Sequence, residues 1–343
     1  MSTLRKVDPS IITQNGGKCI RATDGRIVEY SIHGNLSDSN ASVIVNPYCA
    51  EYLILCDQQR QQQQDKKKKN QRIKVASIVD YDTVTYKLIT VSLPGIGHSD
   101  FHPGHSIIDW PVTDLLPILE QENVTNFHMC GASLGSQYAI ATAQKLGHRV
   151  ISLGIRVPFL PLHISQQCDL PNGQPTLPTS EELLQNTTKV KLLRYLFGIV
   201  TKIYTPNPSK LLMKLMKWGC FGKQQQGAAR LYKNYPNEAS YQANLVTYFT
   251  PDAMLHLVAK DVVLDNINVD PREVDTNTVP MNKRIVWYAK DDSDCPPSHG
   301  EIIANAFWKG CNVRVFNEGY DHSGGAFIDQ AKFYKLLVDV SKE

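Results

Sequence analysis
Along this chain the apolar positions switch between two spacings, and the switches mark out its elements. Arg26 to Ile32 alternates apolar and polar residues, the pattern of a half-exposed strand. Ser42 to Val45 is a β-branched run of the kind buried on both faces of a parallel sheet, and it ends at Asn46-Pro47-Tyr48. Tyr86 to Leu93, Asn126 to Cys130 and Val150 to Ile155 read as further strands. Between them the spacing becomes helical. Ile108, Val112, Leu115, Leu116 and Leu119 mark a helix within Ile107 to Gln121, which Pro111 and Pro117 should interrupt. A second helix runs from Leu134 to Leu146. Strand and helix in alternation predict an α/β protein, a mostly parallel sheet wrapped by helices.

The alternation stops at Pro158. A proline-rich stretch leads to helical segments at Leu183 to Ile199, Lys210 to Trp218 and Ala229 to Phe249, with no strand signal of weight. The expectation is a helical cap at 158–252, inserted between a first core segment, 1–157, and a second, 253–343. The second segment resumes the sheet pattern with Arg284 to Ala289, a helix His299 to Trp308, a strand Asn312 to Phe316 and a last helix Gly325 to Val340. Within the first segment, Gln58 to Gln71 is a low-complexity Gln/Lys tract, with lysines at 66 to 69. It cannot bury enough apolar surface to offset its ordering entropy and reads as a surface insertion.

Composition narrows the class. At 343 residues, 42% hydrophobic, the chain can build a large core. A net charge of +3 is too mild to imply nucleic acid. The eight cysteines form no C-x-x-C pair, and the first residues carry no apolar core like that of a signal peptide. No apolar run is long enough to span a bilayer. These features predict reduced thiols in a cytoplasmic protein.

The candidate chemistry centres on Gly131-Ala132-Ser133-Leu134-Gly135, a G-x-S-x-G pattern at a predicted strand-to-helix turn. So sharp a turn leaves no room for side chains flanking the serine. Ser133 is the candidate nucleophile. The N–H of Leu134 faces the same space at a helix N-terminus, where negative charge is favoured. Serine needs a base, and the base needs a group to hold its tautomer. The loop after Ala289 supplies Asp291, Asp292 and Asp294, and the loop after Phe316 supplies His322. In a parallel sheet such loops converge at one edge. His98, His102 and His105 cluster in a glycine-rich loop, but their spacing fits no ligand pair, and the reading is a tight loop beside the site.

These segments together resemble the α/β-hydrolase fold family over essentially the whole chain. Ser92-Leu93-Pro94-Gly95-Ile96-Gly97-His98-Ser99 is similar to the family's D-x-P-G-x-G-x-S loop, with Ser92 in place of a common aspartate. Ala289-Lys290-Asp291-Asp292, followed by Pro296, is similar to its G-x-x-D-x-x-x-P acid loop, which selects Asp292. Gly-Tyr-Asp-His at 319–322 matches its histidine. The resemblance implies a triad of Ser133, Asp292 and His322 and a second oxyanion donor at the end of the Val43 to Tyr48 segment. Where the family often has His-Gly, this chain has Asn46-Pro47, so that donor would be the N–H of Tyr48, since proline has none. It implies hydrolysis of a carboxylic ester with no metal or organic cofactor. A non-catalytic binding or signalling protein on the same fold and an acyltransferase with the same triad are the alternatives.

The cap bears on the substrate. From Leu183 to Asn237 there is no Asp or Glu, while Lys189, Lys191, Arg194, Lys214 and Lys217 are among its cations. Basic charge mixed with apolar bulk, as in Leu211 to Trp218, reads either as a solvated face over an apolar pocket or as a peripheral contact with an anionic membrane. Both predict an apolar acyl ester as the small-molecule partner.

Overall fold
In the computed structural model, the residues described are 9–48, 84–168, 269–292 and 295–342, apart from 15, 97, 101, 103–105, 166, 318, 319, 321 and 328. The Gln/Lys tract and nearly all of the expected cap, from residue 169 onward, lie outside them, as do His105 and Asp294.

The strands are β1 (Lys18–Arg21), β2 (Ile27–Gly34), β3 (Ser42–Tyr48), β4 (Tyr86–Ser92), β5 (Phe127–Ala132), β6 (Val150–Arg156), β7 (Arg284–Ala289) and β8 (Asn312–Phe316). The helices are α1 (Pro9–Gln14), α2 (Leu116–Gln121), α3 (Gly135–Leu146), α4 (Leu162–Ser165), α5 (Pro297–Ile302), α6 (His322–Phe327) and α7 (Gln330–Asp339). Among the described residues the strands form one eight-stranded sheet in the order β1-β2-β4-β3-β5-β6-β7-β8. β1 and β2 pair antiparallel, as do β2 and β4, and every other pairing is parallel.

The central strands are apolar on both faces because helices cover both. Side chains alternate across the sheet, so neighbours in sequence enter opposite cores. Val45, Ile89 and Val286 join one cluster with Trp110, Tyr138 and Trp308. Ile44, Leu88 and Ile285 join the other with Trp287, Phe333 and Leu337. Burial of each such side chain contributes about 1.5–3 kcal/mol, which is what holds α3 and α7 on opposite faces of the sheet.

Several elements depart from expectation. α1 and β1 carry too short a pattern to be read from sequence. The prolines of the predicted helix Ile107 to Gln121 do not break it; Pro111 opens a π-helical turn, Pro111–Leu115, that runs on into α2. The last predicted helix, Gly325 to Val340, is two helices, because Asp329 takes φ 56° and separates α6 from α7. Its amphipathic spacing continues across a break that the period alone does not register.

Candidate active site
Ser133 stands between β5 and α3, near the middle of the sheet. Its φ is 55°, in the left-handed region that few non-glycine residues occupy. Such strain persists only where the surroundings impose it, and here they do. The Ser133 N–H donates to the Arg156 carbonyl of the adjacent strand at 3.0 Å. The Ser133 carbonyl accepts from the N–H and the hydroxyl of Ser136, at 2.9 and 2.6 Å. A Cβ on Gly131 would stand 2.1 Å from the Gly135 carbonyl oxygen, so the first glycine of the pattern is dictated by the turn.

Leu134 caps α3, and among the described residues no acceptor meets its N–H. Tyr48 is the last residue of β3, paired with Ser92 of β4. The preceding Pro47 carbonyl approaches α3 closely, lying 3.0 Å from where a Gly135 Cβ would stand. In a trans peptide the C=O and N–H point opposite ways, so the Tyr48 N–H is directed away from Gly135.

Asp292 follows β7 and His322 opens α6 after β8. The two meet: His322 Nδ1 lies 2.8 Å from Asp292 Oδ2. The other carboxylate oxygen, Oδ1, accepts the N–H of Cys295 at 2.8 Å. Asp292 is buried and His322 only partly exposed. Asp291, its neighbour, is exposed.

Cys295 is the residue that sequence reasoning missed. Its thiol is buried, lies 3.8 Å from Ser133 Oγ and also contacts His322. No hydrogen bond joins Ser133 Oγ directly to His322 among the described contacts; the thiol stands between them. The available signal was its place one residue before Pro296, in the loop that delivers the acid.

Electrostatics follow from this packing. Burial works to lower the pKa of His322; Cys295, through its hydrogen bond while it keeps its proton, and Asp292, through its hydrogen bond and charge, act the other way and raise it. Burial raises the Cys295 pKa against the opposing effect of His322, so the thiol keeps its proton at neutral pH. Asp292 is then the neighbour whose charge supports an imidazolium. Behind the site, His299 of α5 is fully buried, its Nδ1 accepting from the Leu160 N–H at 3.3 Å; burial lowers its pKa to about 4.

The loop after β4 is tied down by a carboxylate from another strand. Ser92 stands where the resemblance expects an aspartate, and its Oγ donates to Glu29 Oε2 of β2 at 2.7 Å. The same carboxylate accepts the His98 N–H at 3.0 Å and meets His98 Nδ1 at 2.9 Å. Glu29 thus supplies by tertiary contact the charge that position 92 lacks. His102 lies 3.7 Å from Asp24. Among the described residues, no group of three or more His, Cys, Asp or Glu side chains gathers as a metal site would require. Nor, among them, is any helix long and apolar enough to cross a membrane.

No family model matches this chain, and no curated protein matches it by sequence. Solved structures do match it in fold. An esterase from Exiguobacterium antarcticum is 17% identical with a TM-score of 0.54, covering 95% of this chain and 100% of its own. An enol-lactonase from Burkholderia xenovorans is 15% identical with a TM-score of 0.52, covering 95% and 100%. An alpha/beta hydrolase enzyme from a Medee basin deep-sea metagenome library is 11% identical with a TM-score of 0.54, covering 95% and 98%. The chain has the α/β-hydrolase fold.

Proposed function
We propose that this protein is a serine hydrolase that cleaves a carboxylic ester through an acyl-enzyme. The observation that carries the reading is the Asp292–His322 pair, at 2.8 Å, in the same cluster as a serine held at positive φ on a G-x-S-x-G elbow. His322 takes the Ser133 proton as Oγ attacks the ester carbonyl, and Asp292 holds the imidazole's tautomer and stabilises its charge. The Leu134 N–H stabilises the oxyanion; the Pro47–Tyr48 peptide presents its carbonyl to the start of α3, so the Tyr48 N–H serves as second donor only once that peptide turns over. His322 returns its proton to the leaving alcohol. Water, activated by the same histidine, then releases the acid.

Apo sites often hold catalytic hydrogen bonds that are long or misaligned and tighten only with substrate. In this reading the acyl group's arrival moves the Cys295 thiol out of the line from Ser133 to His322. The interposed thiol is also what favours the second reading, a binding or signalling protein with an idle triad. A fluorophosphonate probe separates them. The hydrolase reading expects a single adduct on Ser133 that Ser133→Ala abolishes; an unlabelled native protein would sink it.

The core in two segments, 1–157 and 253–343, with 158–252 as a cap, completes the proposal. The acid-free, lysine-rich stretch 183–237 supports an apolar acyl substrate met at an anionic lipid surface. Co-sedimentation tests that: binding to anionic but not to neutral vesicles is expected, and equal binding to both defeats it. Product analysis with an added alcohol tells hydrolysis from acyl transfer.

A further inference from the structure
Arg156 ends β6 and is buried, 3% exposed. A guanidinium is costly to bury, and burial pulls its pKa down to about 10. Its fixed place needs a reason, and its contacts supply one. Nε and Nη2 both donate to the Gly325 carbonyl, at 3.1 and 2.7 Å. Gly325 lies in α6, the six-residue helix whose first residue is His322. The last carbonyls of a helix have no partner within it, so in so short a helix Arg156 satisfies one that would otherwise be buried unpaired.

The guanidinium is itself fixed. It lies over the rings of Trp287 and Phe333, 5.3 and 5.2 Å from their centroids. α6 is also packed closely against the ends of β6 and β7: a Cβ on Gly325 would stand 2.4 Å from the Val157 side chain and 3.0 Å from that of Ala289. At its other end the same residue holds the elbow, since the Arg156 carbonyl accepts the Ser133 N–H.

We propose that Arg156 is a positioning residue that sets His322 against Asp292 and in register with Ser133, by clamping α6 through Gly325. One residue then fixes both the nucleophile's backbone and the base's helix. The inference rests on the hydrolase reading for its kinetic consequence but not for its structural one. A displacement of the reacting groups by about 1 Å can cost a hundredfold in rate.

The experiment compares wild type with Arg156→Met, Arg156→Lys and Arg156→Ala. Turnover of a short-chain p-nitrophenyl ester is measured against pH, with fluorophosphonate titration counting competent sites. Expected are a fall in kcat per titrated site of about tenfold or more in Arg156→Met, with little change in KM, and partial recovery in Arg156→Lys. Added guanidinium ion should restore turnover in Arg156→Ala without a matching rise in thermal midpoint. The acid limb of the Met variant should move to lower pH, because loosening His322 from Asp292 removes what raises its pKa. An unchanged kcat per site with an unchanged acid limb overturns the proposal. NMR titration of the His322 imidazole gives the answer independently of activity. If wild type neither labels nor turns over, the hydrolase reading fails alone. A His322 pKa that drops in Arg156→Lys and Arg156→Met still supports the clamp, and one that stays put in both overturns it.

Discussion

The sulfur of Cys295 lies 3.8 Å from the hydroxyl oxygen of Ser133, although the two residues are 162 positions apart. The thiol is buried against the serine and the histidine, so in the hydrolase reading added volume there crowds Ser133 Oγ, which a substrate carbonyl would have to approach. Cys295→Phe should therefore cut the rate of fluorophosphonate labelling at Ser133 by about a hundredfold or more. The Asp292 carboxylate would keep its bond to the main-chain N–H of residue 295. Labelling kinetics followed by intact mass measure this, and an unchanged rate contradicts the placement of the thiol.

The pairing of Asp292 with His322 sets the pH dependence. In the proposed hydrolase mechanism the base must be neutral to accept the serine proton, and the His322 pKa is raised above the usual 6.5. Activity should thus climb with pH along a limb that lies above 6.5. Asp292→Asn removes the charge that supports the imidazolium, so its limb should move down and kcat should fall by about four orders of magnitude. Profiles of kcat/KM against pH for the two proteins decide it.

Strain at the elbow should trade stability against activity. Ser133 holds φ 55°, which glycine adopts without penalty. Ser133→Gly is expected to gain about 1 kcal/mol in urea unfolding while losing all labelling. Gly131→Ala should do the reverse of the first effect and cost about 3 kcal/mol or more, because its Cβ would stand 2.1 Å from the Gly135 oxygen.

Buried histidines should make the fold acid-sensitive. His128 meets Ser152 Oγ at 2.9 Å inside the sheet, and burial pulls the pKa values of His128 and His299 down to about 4. Between about pH 6.5 and 4 the unfolded chain binds protons that the native state refuses. Stability is therefore full above that window and falls through it, by on the order of 3 kcal/mol per histidine. His322, with its raised pKa, acts in the opposite sense and above the window. Urea unfolding at pH 7 and pH 5 should show the loss, and His128→Gln should flatten the dependence.

The sequence by itself determined whatever is local in the chain. Hydrophobic period distinguished strands β2 to β8 from the helices between them, because side-chain direction repeats every two residues in one and every 3.6 in the other. Glycines at 131 and 135 marked the elbow; the turn admits no Cβ at 131, and at 135 the Pro47 carbonyl of β3 comes close. Chain order placed an acid and a histidine after the last two strands. Tertiary structure alone decided which groups meet across large separations. It set the Glu29 carboxylate on Ser92, 63 residues away, in place of an expected aspartate. It put Cys295 between serine and histidine, and the Arg156 guanidinium on a carbonyl 169 residues distant. Such contacts depend on how the sheet edge gathers its loops, and no periodicity within any one segment encodes them.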